Sequence, residues 1–327
     1  MAACLAGWWT EAKARNLSVS TYEGYAATVA KLQAFIGHDD ATALTPDDII
    51  RFKDFRLAAV NPRNGKLISA GTVKDSDLAA LKAVFGWAAA NRKLAINPAQ
   101  GITLRVGKRF RTRSKGLSDI EANALLAAAS SYHNKRERPK MVAAKRWVPW
   151  LCAYTGARVG ELVQLRQQDV RLDGKVWTLN ITPEAGTVKT AEARVIALHP
   201  HLLTMGFVRF AQAAPAGHLF LTLGKNGDVR GPWRGVKNRL QEFARETVKD
   251  PAVAPNHGWR HRFKTVGRSA DIDASLLDRI AGHAAATVGD GYGDYGIDAQ
   301  FRAISRMPAY PESAPVAGLE DAVLPSP

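Results

Sequence analysis

Two cysteines in 327 residues leave no room for a disulfide framework, and Cys4 and Cys152 lie far apart without a ligand-like cluster around either. Cys152 sits in the apolar run Trp147 to Tyr154, where a buried thiol is expected. No stretch of about 18 apolar residues occurs, which excludes a hydrophobic transmembrane helix. The opening M-A-A-C-L-A-G-W-W-T-E lacks the basic region of a secretory leader, so a cytoplasmic location with no membrane partner is expected. A Walker loop is missing, as is any cluster of carboxylates of the kind that holds two Mg²⁺ ions. The expectation is chemistry with no cofactor and no metal. The last seventeen residues contain four prolines and no basic residue, the composition of a mobile tail over 311–327.

What is present is charge of one sign. Forty-five Lys and Arg face 30 Asp and Glu, a net charge of +15, in a chain of otherwise ordinary globular composition. The excess is uneven: residues 105–310 hold 33 basic and 18 acidic residues, whereas residues 1–104 hold 12 and 9. A polyanion such as nucleic acid is the partner this balance favours, with solubility alone as the plainer alternative.

The length suits two domains. Within residues 1–104, Ser20 can cap a helix with apolar positions Tyr25, Val29, Leu32 and Ile36, ended by Gly37. Thr45-Pro46-Asp47-Asp48 opens a second helix, and Val73, Leu78, Leu81, Val84, Phe85 and Ala88 stripe a third from about Thr72 to Asn91. Residues 105–116 form a basic linker in which Arg105, Lys108, Arg109, Arg111, Arg113 and Lys115 can contact a phosphate backbone; a merely solvated hinge is the alternative. Residues 117–310 begin with a capping box, Ser118 and Glu121. A hairpin follows through Asp173-Gly174, then a third strand from Arg194 to Leu198, and helices resume from Trp233. The expected fold is mainly α with a small antiparallel β-sheet.

Three short blocks carry chemistry. Thr155-Gly156-Ala157-Arg158-Val159-Gly160-Glu161-Leu162 presents an arginine at the opening of a helix, with Glu161 three residues on and able to orient it. His257-Gly258-Trp259-Arg260-His261 puts His257 and Arg260 on one helical face; a zinc-protease reading of His257 and His261 lacks the necessary glutamate, since Gly258 stands there. Gly282-His283 follows a helix starting near Asp273, and Tyr292 stands nine residues beyond His283.

Arg158, His257, Arg260, His283 and Tyr292, in this order and spacing, resemble the catalytic signature of the tyrosine recombinases of the phage-integrase kind. Val188-Lys189-Thr190-Ala191-Glu192-Ala193-Arg194-Val195 is similar to the lysine-bearing hairpin of that family, and T-V-K-D-S-D-L-A-A-L-K-A-V-F-G-W-A looks like its core-binding domain. The resemblance spans roughly residues 15–305. Gly258-Trp259 replaces a common aliphatic pair and Gly291 a larger residue, so Tyr295 is kept as the alternative nucleophile.

The resemblance implies a site-specific recombinase of double-stranded DNA. Tyr292 would attack the phosphodiester, Arg158 and Arg260 would neutralise it, His257 and His283 would donate or move protons, and Lys189 would protonate the leaving 5′ oxygen. A core-binding domain and a catalytic domain clamping the duplex, a homotetramer on synapsed sites, and accessory directionality or DNA-bending proteins are expected on the same ground. A metal-free tyrosine topoisomerase and a catalytically inactive DNA-binding protein are the alternatives.

Overall fold

The computed structural model describes residues 1–62, 64–107, 110, 112–186, 192–283 and 295–311. Lys189 and Tyr292, the linker cations Lys108, Arg109 and Arg111, and the tail beyond residue 311 lie outside this set. The chain forms two compact units, residues 1–110 and 111–327, so the division falls inside the basic stretch 105–116.

The first unit is helical: α1 Ala2–Ala14, α2 Val19–Ile36, α3 Pro46–Ala58, α4 Ala70–Thr72 and α5 Ala79–Ala90, the last two bridged by a π-helical segment, Val73–Leu78. Ser18, and not Ser20, caps α2, its side chain accepting from the Thr21 amide at 3.2 Å. Two serines so close together look alike in sequence; only Ser18 has the extended backbone that aims its hydroxyl at the amides of the first turn. Gly37 ends the helix in the left-handed conformation. Thr45 and Asp48 form a reciprocal capping box on α3. The striped residues Val73, Leu78, Leu81, Val84, Phe85 and Ala88 are all buried in a unit whose core also holds Leu32, Ile49 and Phe52. Trp8 and Trp9 of α1 stack on Tyr25 and Tyr22 of α2 at 4.7 and 4.8 Å. One polar cluster crosses this core: Asp77 accepts from Arg56 at 2.9 Å and from Thr28 at 3.2 Å, all three buried.

The second unit opens with α6 Asp119–Ser130, capped reciprocally by Ser118 and Glu121, and the long α7 Pro139–Thr155, which carries Lys140, Lys145 and Arg146 ahead of the apolar run Trp147 to Tyr154. Then come α8 Val159–Val163, the strands β1 Val170–Asp173, β2 Val176–Ile181 and β3 Arg194–Ala197, and the helices α9 Pro200–Thr204, α10 Phe207–Ala213, α11 Arg230–Thr247, α12 Pro255–Ser269, α13 Ala274–Ala281 and α14 Ile297–Ile304. The sheet is antiparallel in the order β1-β2-β3, with Val170 opposite Leu179 and Thr178 opposite Ala197. Helix α7 lies in the core, its Trp150, Leu151, Cys152 and Tyr154 no more than 1% exposed, and α12 packs on it through Trp259 and Phe263. The segment after α14 is tied down at the same place. His199 meets the Met307 carbonyl at 3.0 Å, and the Tyr310 amide donates to the Tyr154 hydroxyl at 3.0 Å. Among the described residues, no helix is long and apolar enough to cross a membrane.

Candidate active site

Three parts of the second unit meet at one place. The first is the break between α7 and α8. Gly156 ends α7 with φ +58°, and a Cβ there would stand 2.5 Å from the ring of Phe263, so both the backbone and the space demand glycine. Arg158 follows as the N-cap of α8, and its backbone amide donates to Glu161 Oε2 at 3.1 Å. Its guanidinium donates through Nη1 to Glu161 Oε1 at 2.8 Å and to the Gly282 carbonyl at 3.0 Å. The side chain keeps about a quarter of its surface exposed.

The second element is α12. His257 and Arg260 share a face, as their spacing requires, with Arg260 in the interior at 3% exposure. Arg260 Nη1 donates to the Gly156 carbonyl at 2.6 Å and to the Ala281 carbonyl at 2.5 Å. Its Nη2 is buried and has no partner among the described residues. Burial and the neighbouring Arg158 charge bring the Arg260 pKa down to about 10, which still leaves it protonated at neutral pH. His257 stays at the surface, edge-on to His261 at 5.2 Å between ring centroids. Desolvation, then the charges of His261, Arg260, Lys115 and Arg158, disfavour its proton. The missing side chain at Gly258 leaves room that Leu117 and Val253 fill.

The third element is the end of α13, capped at Asp273 and closed by Gly282 at φ +73°. A Cβ on Gly282 would come within 2.5 Å of the Arg194 guanidinium. The turn therefore exposes two consecutive carbonyls, Ala281 and Gly282, that moor Arg260 and Arg158 respectively. Two guanidiniums 102 positions apart in sequence converge on it. His283 is the next residue, its amide donating to the Asp278 carbonyl at 2.9 Å.

Arg194, on β3, is a site residue outside the five positions of the catalytic signature. It donates to Glu161 Oε2 at 2.6 Å and to the Ile280 carbonyl at 3.2 Å, and its Nη1 is buried without a partner among the described residues. The sequence does carry a signal, since Arg194 is the last position of the K-T-x-x-x-R pattern, but only proximity reveals that it shares Glu161 with Arg158. Glu161 is buried, and although burial alone would raise its pKa, Arg194 and Arg158 together hold it below the ordinary value. It is thus a permanent anion between two cations.

Tyr295, the alternative nucleophile, binds Asp273 Oδ1 at 3.0 Å and the Ser275 hydroxyl. Those residues sit at the start of α13, an eight-residue helix of about 12 Å, so its phenol lies a helix length from the Gly282 turn. Of the linker cations, Arg105 and Lys115 are exposed. Arg113 is occupied, bonded to Glu121 at 2.7 Å, Asp250 at 2.8 Å and the Gly116 carbonyl at 3.2 Å. It holds the Glu121 carboxyl down at about 2. Among the described residues, no three His, Cys, Asp or Glu side chains gather as a metal site, His257 and His261 included.

No family model matches the chain, and no curated protein does. Solved structures do. A lambda integrase dimer bound to a COC′ core site is similar over 91% of this chain and 98% of its own, at TM-score 0.59 and 17% identity. A lambda integrase tetramer bound to a Holliday junction is similar over 90% of this chain and 79% of its own, at TM-score 0.60 and 15% identity. The Tn1549 transposon integrase in complex with circular intermediate DNA is similar over 90% of this chain and 97% of its own, at TM-score 0.52 and 18% identity.

Proposed function

We propose that this chain, which has the tyrosine-recombinase fold of those integrases, is a site-specific DNA recombinase that cuts and rejoins strands through a covalent bond to Tyr292. The observation that carries the reading is the convergence of Arg158 and Arg260 on the 281–282 turn, next to His283, with excess positive charge and with buried N–H groups that have no acceptor among the described residues. A phosphodiester in the transition state of displacement gathers negative charge on its non-bridging oxygens, and preorganised guanidiniums lower that barrier without reorganising.

In the proposed reaction, the Tyr292 phenol attacks the phosphorus and loses its proton to a neighbouring base. The new bond joins the phenol oxygen to the 3′ phosphate, and the bond to the 5′ oxygen breaks. Lys189 supplies the proton that this leaving oxygen takes up, generating a 5′ hydroxyl. Attack by the 5′ hydroxyl of a partner strand reverses each step, so no nucleotide hydrolysis is needed. His257 and His283 donate hydrogen bonds or carry protons beside the arginine pair. The likeness to a tetramer on a Holliday junction supports assembly of four copies on two synapsed duplexes, and the phage and transposon neighbours support a role in mobilising a prophage or similar element.

Nicked suicide DNA tests this directly. Release of a short 5′-hydroxyl fragment should leave a protein–DNA adduct stable to denaturation, formed in the presence of EDTA and absent in Tyr292→Phe. An adduct that persists in Tyr292→Phe, or none in the unaltered chain on any cleaved site, refutes the proposal. Relaxation of supercoils at arbitrary sequence would point to a topoisomerase instead.

A further inference from the structure

Two charged side chains beside the site touch neither arginine. Asp278, on α13, accepts through Oδ1 from His283 Nδ1 at 2.5 Å and from Lys264 Nζ, reaching across from α12, at 2.6 Å. The main-chain carbonyl of the same Asp278 accepts the His283 amide. One residue therefore holds both the backbone and the ring of His283, and it is held in turn by a lysine one helical turn beyond Arg260. The three side chains are 23% to 35% exposed, so the contact is shielded but not sealed.

The chemistry of this arrangement is restrictive. An ionised carboxylate has only acceptors, so the ring nitrogen facing it must carry the proton. Asp278 is ionised: burial, the largest influence, raises its carboxyl pKa, but the bonds from Lys264 and His283 more than offset it and the net direction is down. The opposite nitrogen, Nε2, is then the one left for work, as a base when the ring is neutral and as a donor when it is charged. The groups facing His283 are Asp278 from its own helix and Lys264, Arg260 and His261 from α12. Burial disfavours the His283 proton most, Asp278 favours it, and the cations oppose it.

We propose that Asp278, steadied by Lys264, is a positioning residue that locks His283 in the Nδ1–H form and so assigns Nε2 to the scissile phosphate. This assignment rests on the recombinase reading for its catalytic meaning, but its structural content stands without DNA. Neither residue belongs to the catalytic signature, and both are argued to act through His283. A carboxylate in this position fixes both the tautomer and the orientation of an imidazole.

The test follows the imidazole of His283 by nitrogen-detected NMR in the full chain without DNA, in the unaltered protein, Asp278→Asn and Lys264→Met. The unaltered chain should show a protonated Nδ1 and a bare Nε2 at high pH. Asp278→Asn, whose amide can donate as well as accept, should admit the Nε2–H tautomer and move the titration to lower pH. Lys264→Met removes a cation and should move it to higher pH. The rate of adduct formation on nicked DNA should fall about ten- to hundredfold in Asp278→Asn, with its pH profile displaced in the same sense as the titration. A merely structural role for Asp278 would lower the yield of folded protein without opposite shifts in the two variants. Nε2–H in the unaltered chain, or coincident titrations in the unaltered chain and Lys264→Met, overturns the proposal even if Asp278→Asn fails to fold. Absence of any adduct with an Nδ1–H histidine would instead strike the recombinase reading and leave this one standing.

Discussion

Each unit of the chain buries arginine, and the two do so in opposite ways. In the first, Arg56, Asp77 and Thr28 form a closed set: one cation, one anion and a hydroxyl, bonded at 2.9 and 3.2 Å and sealed from water. In the second, Arg158 and Arg194 share a single carboxylate, Glu161, and make further bonds to main-chain carbonyls, while the nearby Arg260 bonds carbonyls alone. Even so, Nη1 of Arg194 and Nη2 of Arg260 stay buried without acceptors among the described residues. A network that serves stability satisfies itself. Unused donors and like-charge crowding are each destabilising, and under the proposed reading they suit an anion that arrives from outside.

That contrast can be broken at its stable end first. Asp77→Leu leaves Arg56 buried and unpaired and should cost about 3–5 kcal/mol of stability in the first unit, read as a lowered denaturation midpoint. Adduct formation, measured well below that midpoint, should keep its rate constant for the chemical step. At the other end, Arg158→Ala and Arg260→Ala should each slow adduct formation about a hundred- to a thousandfold. Inorganic phosphate should raise the melting temperature of the unaltered chain more than sodium chloride of equal ionic strength does, and Arg260→Ala should lose this difference. Equal phosphate stabilisation in both proteins would mean that the unused donors do not mark an anion site.

A milder effect concerns acid. His199 is 4% exposed, its Nε2 bonded to the Met307 carbonyl and its Nδ1 accepting from the His201 amide, and burial pulls its pKa down to about 4. Because the unfolded chain takes up this proton near pH 6.5 and the folded chain only near 4, stability is complete above about pH 6.5 and is lost as pH falls towards 4. The loss amounts to roughly 3 kcal/mol across that window. Urea titrations of the unaltered chain and His199→Gln should show the variant with the shallower acid limb. Smallest is the linker pair. Lys115→Ala should reduce the log–log salt dependence of duplex binding by about 0.9, whereas Arg113→Ala, already bonded to Glu121 and Asp250, should change stability more than the slope.

Much of this architecture is legible in the amino-acid sequence wherever local chemistry decides. Capping boxes at Thr45 and Ser118, the glycine ends at Gly37, Gly156 and Gly282, and the Asp173-Gly174 hairpin are all set by residues within four positions of one another. The signature also marks Arg158, His257, Arg260 and His283, because their spacing reflects helices that can be read. What the sequence hides is set by contact across the fold. Arg194 meets Glu161 over 33 positions, and Lys264 meets Asp278 from a different helix. The π-helical turn around Asp77 is equally hidden, since the apolar stripe through Val73 and Leu78 looks like any helix face. Helix α1 is less legible, because Trp9 and the many alanines around the buried Cys4, Leu5, Trp8 and Ala12 blur its apolar stripe.

The mooring of Arg158 and Arg260 by the oxygens of Gly282, Gly156 and Ala281 has a consequence for inheritance. Peptide oxygens are supplied by every residue type, so the anchorage depends on the path of the chain and on two glycines that permit it, and not on which side chains line the surroundings. Drift in those surroundings can therefore be extensive while the berth for two guanidiniums is passed on intact.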